Sequence, residues 1–150
     1  MRHMTRAMAL LTLVGLALTA CSSPTTPTSS TAALDRFVQA LREQGLTVDL
    51  AGQLAPSANG FFSVPAEQIR VNDSQLSAFV YRNSDAAVAE ASQISRDGQP
   101  SPTSRVLWVS TPWFYQKDTM IVLYVGCAAN ILHALQETIG APIVVGPNQC

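Results

Sequence analysis

The three cysteines and two histidines are the residues of this 150-residue chain with the widest chemical reach. Thiols act as nucleophiles, metal ligands or disulfide partners, and imidazole acts as base or ligand. Cys21 follows an uncharged apolar run, residues 7–20, whereas Cys127 and Cys150 lie far downstream. A catalytic Cys127 needs a base, and His133 is the only histidine outside the first 20 residues. Six residues along a helix amount to about 9 Å of rise and some 240° of rotation, so these two side chains diverge. His133 also points away from the apolar arc of Ile131, Leu132, Leu135 and Ile139, toward Glu137, as a surface residue does. A single histidine there rules out a multi-histidine metal site. Cys127 and Cys150 are the only thiols left if Cys21 carries lipid, and in an oxidising compartment they are expected to form a disulfide, closing a loop of about 24 residues worth roughly 3 kcal/mol. A free or intermolecular Cys150 is the alternative. Asp49, Asp73, Asp85, Asp97 and Asp118 sit where turns, caps or exposed strand faces call for them. GxSxG, HExxH, a glycine-rich phosphate loop and an EF-hand pattern are all missing. We assign no catalytic residue, metal or cofactor, and expect no enzyme.

The elements upstream say where those residues are carried. Arg2, His3 and Arg6 precede the apolar run, and small residues precede Cys21. This is the layout of an export signal, and about 14 apolar residues fall short of the ~20 needed to span a bilayer as a helix. Leu18-Thr19-Ala20-Cys21 followed by Ser22 resembles the lipobox of bacterial lipoproteins. That resemblance implies removal of residues 1–20 and a diacylglyceryl group on the Cys21 sulfur. Two or three acyl chains make a stable anchor where one is marginal. It also implies a cell-membrane or outer-membrane location facing the periplasm or exterior, with Ser22 rather than Asp favouring the outer membrane. An ordinary secretory signal with a chance cysteine is the alternative.

Without Arg2 and Arg6, seven basic side chains face ten acidic ones, a formal charge near −3. Nucleic-acid binding calls for clustered Lys and Arg, and Lys117 is the only lysine. Residues 22–31 are all Ser, Thr or Pro, so residues 21–32 are expected to form the lipidated cysteine and a disordered tether. Residues 33–150 then make one small domain.

In that domain, residues 34–44 read as an amphipathic helix with Leu34, Phe37, Val38 and Leu41 on one arc. Ser30 or Thr31 is its expected cap and Gly45 its stop. Residues 46–50 alternate as a half-buried strand, and residues 61–64 form a short extended piece. Residues 68–71 and 75–81 read as a hairpin, followed by an Ala-rich helix over 85–94 capped by Ser84. Residues 105–109 are a predicted strand, and 113–116 with 119–125 a second hairpin. Residues 120–125 are apolar throughout, as in a strand buried on both faces. A last helix spans 129–139. The order α-β-β-β-α-β-β-α predicts an α+β fold, a mainly antiparallel sheet with helices packed on one face. The order over 75–139 is similar to part of a ferredoxin-like sandwich.

Trp108, Trp113 and Tyr115 are the candidate binding residues, because exposed Trp and Tyr anchor interfaces at low entropy cost. Plain packing is the competing reading. The pieces Phe62-Ser63-Val64-Pro65, Ile69-Arg70-Val71-Asn72 and Ile121-Val122-Leu123-Tyr124-Val125-Gly126 resemble small lipoproteins of environmental bacteria whose function is unassigned. That family carries acidic residues after the glycine, whereas Cys127-Ala128 stand here. The sequence therefore points to a lipid-anchored extracytoplasmic protein, held to the membrane through Cys21. It presents a non-enzymatic interaction domain to an envelope protein partner. The alternative is a small-molecule binding module with an aromatic pocket near Trp108 and Trp113.

Overall fold

A computed structural model describes residues 29–103, 105–147 and 150. Its elements, in chain order, are α1 (Ser29–Glu43), β1 (Val48–Leu54), the one-turn α2 (Pro56–Asn59), β2 (Ala66–Val71) and β3 (Ser74–Val80). There follow α3 (Ser84–Ala91), β4 (Pro112–Lys117), β5 (Met120–Val125), α4 (Ala129–Ile139) and the two-residue β6 (Val144–Val145). The six strands form one sheet in the order β1-β2-β3-β5-β4-β6, antiparallel at every pairing. This is an α+β domain.

Strand β5 shows why the sheet is placed as it is. Alternate side chains of a strand face opposite ways, and Met120, Val122 and Tyr124 join one buried cluster while Ile121 and Leu123 join another. Helices α1 and α4 cover the first face through Leu34, Phe37, Val38 and Leu41 and through Ile131, Ala134 and Leu135. Helix α3 covers the second face through Ala87, with Phe62 and Trp108 from the flanking loops. Helices therefore pack on both faces, not on one as expected. The apolar second face, with Phe79, Phe114, Ile121 and Leu123, demands that cover. The adjacent order β3-β5-β4 is that of a split βαβ unit, but α3 and α4 on opposite faces part it from a ferredoxin-like sandwich.

Local signals explain most element ends. Helix α1 starts at Ser29, so Ser29, Ser30, Thr31 and Ala32 lie in its first turn rather than in the expected tether, and Ser30 and Thr31 stand inside the helix rather than ahead of it. Its stop is as expected: the Gly45 N–H donates to Arg42 O and the Leu46 N–H to Leu41 O. The α3 cap is Asn83, not Ser84, with its side chain accepting the Ala86 N–H at 2.9 Å. Residues 61–64 form bends rather than a strand. The loops Asn72-Asp73 and Asp118-Thr119 each open on a residue with positive φ, 51° and 50°, which Asn and Asp tolerate.

Strict alternation gives the sheet two different ends. One end gathers Leu54, Ala66, Val80 and the β4–β5 loop, through the pairings Leu54↔Ala66, Val80↔Met120 and Lys117↔Met120. Thr31 and Leu34 of α1 share a groove with Gln53, Pro65 and Val80 there, so the chain enters the domain at this end. The far end gathers the β2–β3 loop and the pairing Pro112↔Val125. The Arg42 guanidinium, near the close of α1, donates to Val48 O at 2.7 Å.

At the close of β5 the backbone approaches a ring. A Cβ on Gly126 would lie 2.4 Å from Tyr124 Oη, which accepts the Ala128 N–H at 3.0 Å and so starts α4. Gly126→Ala must displace that buried phenol, and should cost on the order of 1–3 kcal/mol in urea unfolding. Tyr124→Phe should cost about 1 kcal/mol by leaving an amide unpaired. An unchanged midpoint in Gly126→Ala would show that the approach is not a constraint.

Candidate functional site

The connection from α3 to β4 is held by side chains in place of a ladder. The Ser95 N–H donates to Gln99 O and the Gly98 N–H to Ser95 O, each at 2.9 Å, and Ser95 Oγ donates to Asp97 Oδ1. That hydroxyl holds the Asp97 carboxyl below its ordinary pKa. The Gln99 side chain then mimics a neighbouring strand: its Oε1 accepts the Val106 N–H at 2.7 Å and its Nε2 donates to Val106 O at 3.3 Å. Trp108 Nε1 donates to Gly98 O at 3.1 Å. The Trp108 ring stacks on Phe61 at 5.7 Å and meets Phe114 edge-on at 6.0 Å. At Gly98, where φ is 75°, a Cβ would come within 3.0 Å of Pro112 Cγ and 3.1 Å of Gly146 Cα, so only glycine closes this corner.

Residues 105–109 are thus an irregular connection rather than a strand, with the Gln99 side chain in the place of a partner strand at Val106. Alternation still operates. With Val106 and Trp108 held inward, Leu107 and Val109 stand 97% and 92% exposed. Neither makes a hydrogen bond to a described residue. Val145, 38% exposed, stands on β6 just before Gly146 at the same corner.

The segment is clasped at its end by the cysteines. Cys127 and Cys150 stand at disulfide distance, with S–S 1.96 Å and Cα–Cα 5.6 Å. Ser110 Oγ lies 3.4 Å from Cys127 Sγ, and the buried Thr111 has its Oγ1 3.1 Å from Cys150 Sγ. The pair joins Cys150 to the far end of the sheet.

The three aromatic candidates do not converge. Trp108 belongs to the face covered by α3, while Trp113 and Tyr115 belong to the face covered by α1 and α4. Trp113 is half-buried and donates from Nε1 to Gly126 O at 2.9 Å. Tyr115 is buried, and burial, with a smaller contribution from Tyr124, pushes its phenol up to about 12. Tyr81 is raised too, by burial first and then by Glu90, which its hydroxyl meets at 3.4 Å. The sheet separates the two tryptophans, so they share no concavity. His133 is exposed. Cys21 lies outside the described residues. Among the described residues no group of three or more His, Cys, Asp or Glu is placed to hold a metal ion.

No protein-family model, curated protein or solved structure matches the chain. Among the described residues no helix is long and apolar enough to cross a membrane.

In the sequence, the predicted strand over 105–109 accounts for Leu107 and Val109. Their signal is the unbroken run Val106-Leu107-Trp108-Val109 in a segment with no facing strand in sequence. A bridged Cys127–Cys150 predicts an intact mass lower by two hydrogens than the dithiol. Replacing both by Ser should lower unfolding stability by about 2–4 kcal/mol. A dithiol mass, or an unmoved urea midpoint, would contradict the clasp.

Proposed function

We propose that this is a lipid-anchored protein of the bacterial envelope. It is tied to the membrane through Cys21 and docks a partner protein on the ridge Leu107–Val109. The observation that carries the docking is the nearly complete exposure of two aliphatic side chains on a backbone pinned from beneath. Isolated exposed aliphatics are ordinary, but here the backbone is held at Val106 and the Trp108 ring at Gly98. A pre-ordered segment loses little entropy on binding, so its apolar area is available for affinity.

The position of the ridge favours a protein over the bilayer as its occupant. Val109 leads through Ser110 and Thr111 into Pro112 at the far end of the sheet, beside the cysteine pair. The chain coming from Cys21 enters at the opposite end, at Ser29. A tether leaving from that end starts on the side of the domain away from the base of the ridge.

Two variants test this separately. Cys21→Ala should move the protein from membrane to soluble fractions, and retention in the membrane would overturn the anchor. Leu107→Asp with Val109→Asp should change folding stability by no more than about 0.5 kcal/mol each, as exposed sites do. Native mass spectrometry on protein extracted gently from its envelope should show a heteromeric complex that this double variant loses. A complex that survives both substitutions, or one containing only copies of this chain, would overturn the docking surface.

A further inference from the structure

At the entry end of the sheet, α1, α4 and the β4–β5 loop enclose a cavity of about 200 Å³. Its floor is apolar: Phe37 and Met120 are buried core residues, and Ala40 and Ile139 continue the wall. Its rim is cationic, formed by Arg36 and by Lys117, the only lysine of the chain. Lys117 Nζ donates to Thr138 O at 2.8 Å, which fixes the ammonium at the last turn of α4 and leaves two N–H groups unspent. Arg36 Nε donates to Ala32 O at 3.1 Å and keeps its four terminal N–H groups. Neither cation pairs with a carboxylate among the described residues. Asp118 also lines the cavity, and its charge offsets part of this rim. Thr138 lines it as well, and its buried Oγ1 finds no hydrogen-bond partner among the described residues.

An apolar floor beneath two unpaired cations fits a ligand with one anionic group on a short apolar stem. The volume lies below the ~300–1,000 Å³ of ordinary small-molecule pockets, so it admits a headgroup and a few methylenes rather than a whole acyl chain. Residues 22–28 can hold Ser29 no more than roughly 30 Å from Cys21, whatever path they take. We propose that this cavity binds the phosphate and adjoining glycerol stem of an acidic phospholipid, an inference that rests on the lipid anchor at Cys21. Guanidinium and ammonium groups meet the phosphate oxygens. Anchor and headgroup together hold the domain with its far end outward, a second signal beside the acyl chains.

The test uses the full chain in neutral maltoside detergent, titrated with dihexanoyl phosphatidylglycerol below its micelle concentration. Saturable amide shifts at Ala33, Lys117 and Thr138 are expected, with binding at least tenfold weaker in Arg36→Gln/Lys117→Gln. Dihexanoyl phosphatidylcholine should bind at least tenfold more weakly than phosphatidylglycerol. Equal response to both lipids, shifts mapping elsewhere, or an unaffected double variant would overturn the proposal. Inorganic phosphate binding as tightly as the lipid would overturn it too, and would identify a free-anion site. The titration reads the cavity itself, so its failure is distinct from a failed anchor, which the fractionation of Cys21→Ala reports.

Discussion

Every side chain of β5 from Met120 to Tyr124 is buried, and the rest of the domain is arranged around that demand. A strand apolar on both faces must be covered on both, and two helices suffice for only one of them. Helices α1 and α4 close the face of Val122 and Tyr124. The face of Ile121 and Leu123 is left to the short α3, to Phe61 and Phe62, and to Trp108 on an irregular connection. Such a connection buries apolar surface only if its backbone is held. Gln99 and Gly98 do the holding, by accepting from and donating to Val106 and by accepting the indole N–H. The exposure of Leu107 and Val109 follows from this, since an extended backbone that turns two residues in turns their neighbours out.

The antiparallel order gives the two ends of the sheet different chemistry. At the far end the cysteine pair, Thr111 and the Gly98–Pro112–Gly146 corner fix the base of an apolar ridge. At the entry end Arg36 and Lys117, neither paired with a carboxylate among the described residues, stand over the buried Phe37 and Met120. A domain held to a bilayer from its entry end would meet acidic headgroups with the cationic cavity and meet other proteins with the ridge. The cavity and the base of the ridge thus lie toward opposite ends of the sheet.

The legible parts of the sequence were those governed by local rules. The arc of α1, the stop at Gly45, both hairpins and the span of α4 follow from periodicity and turn chemistry, and each is present in the structure. The start of α1 at Ser29 was hidden by a run of Ser and Thr that reads as tether. The cover on both faces was half visible in the aromatic outer side of β3, where Phe79 and Tyr81 are in fact buried. Residues 105–109 read as a strand because extended backbone and alternation are all that a sequence shows, and neither tells whether a neighbour strand exists. Trp108 and Trp113 are five residues apart in sequence, but only the sheet decides that they face opposite ways. Arg36 on α1 and Lys117 at the end of β4 are distant in sequence and line one cavity only in the folded domain.

The most direct test of this two-ended arrangement is photo-crosslinking in the native envelope from a diazirine side chain placed singly at Ala33 or at Leu107. Phospholipid adducts from position 33 and a protein adduct from position 107 are expected. Phospholipid adducts from position 107 would contradict the orientation, and with it the placing of docking at the far end.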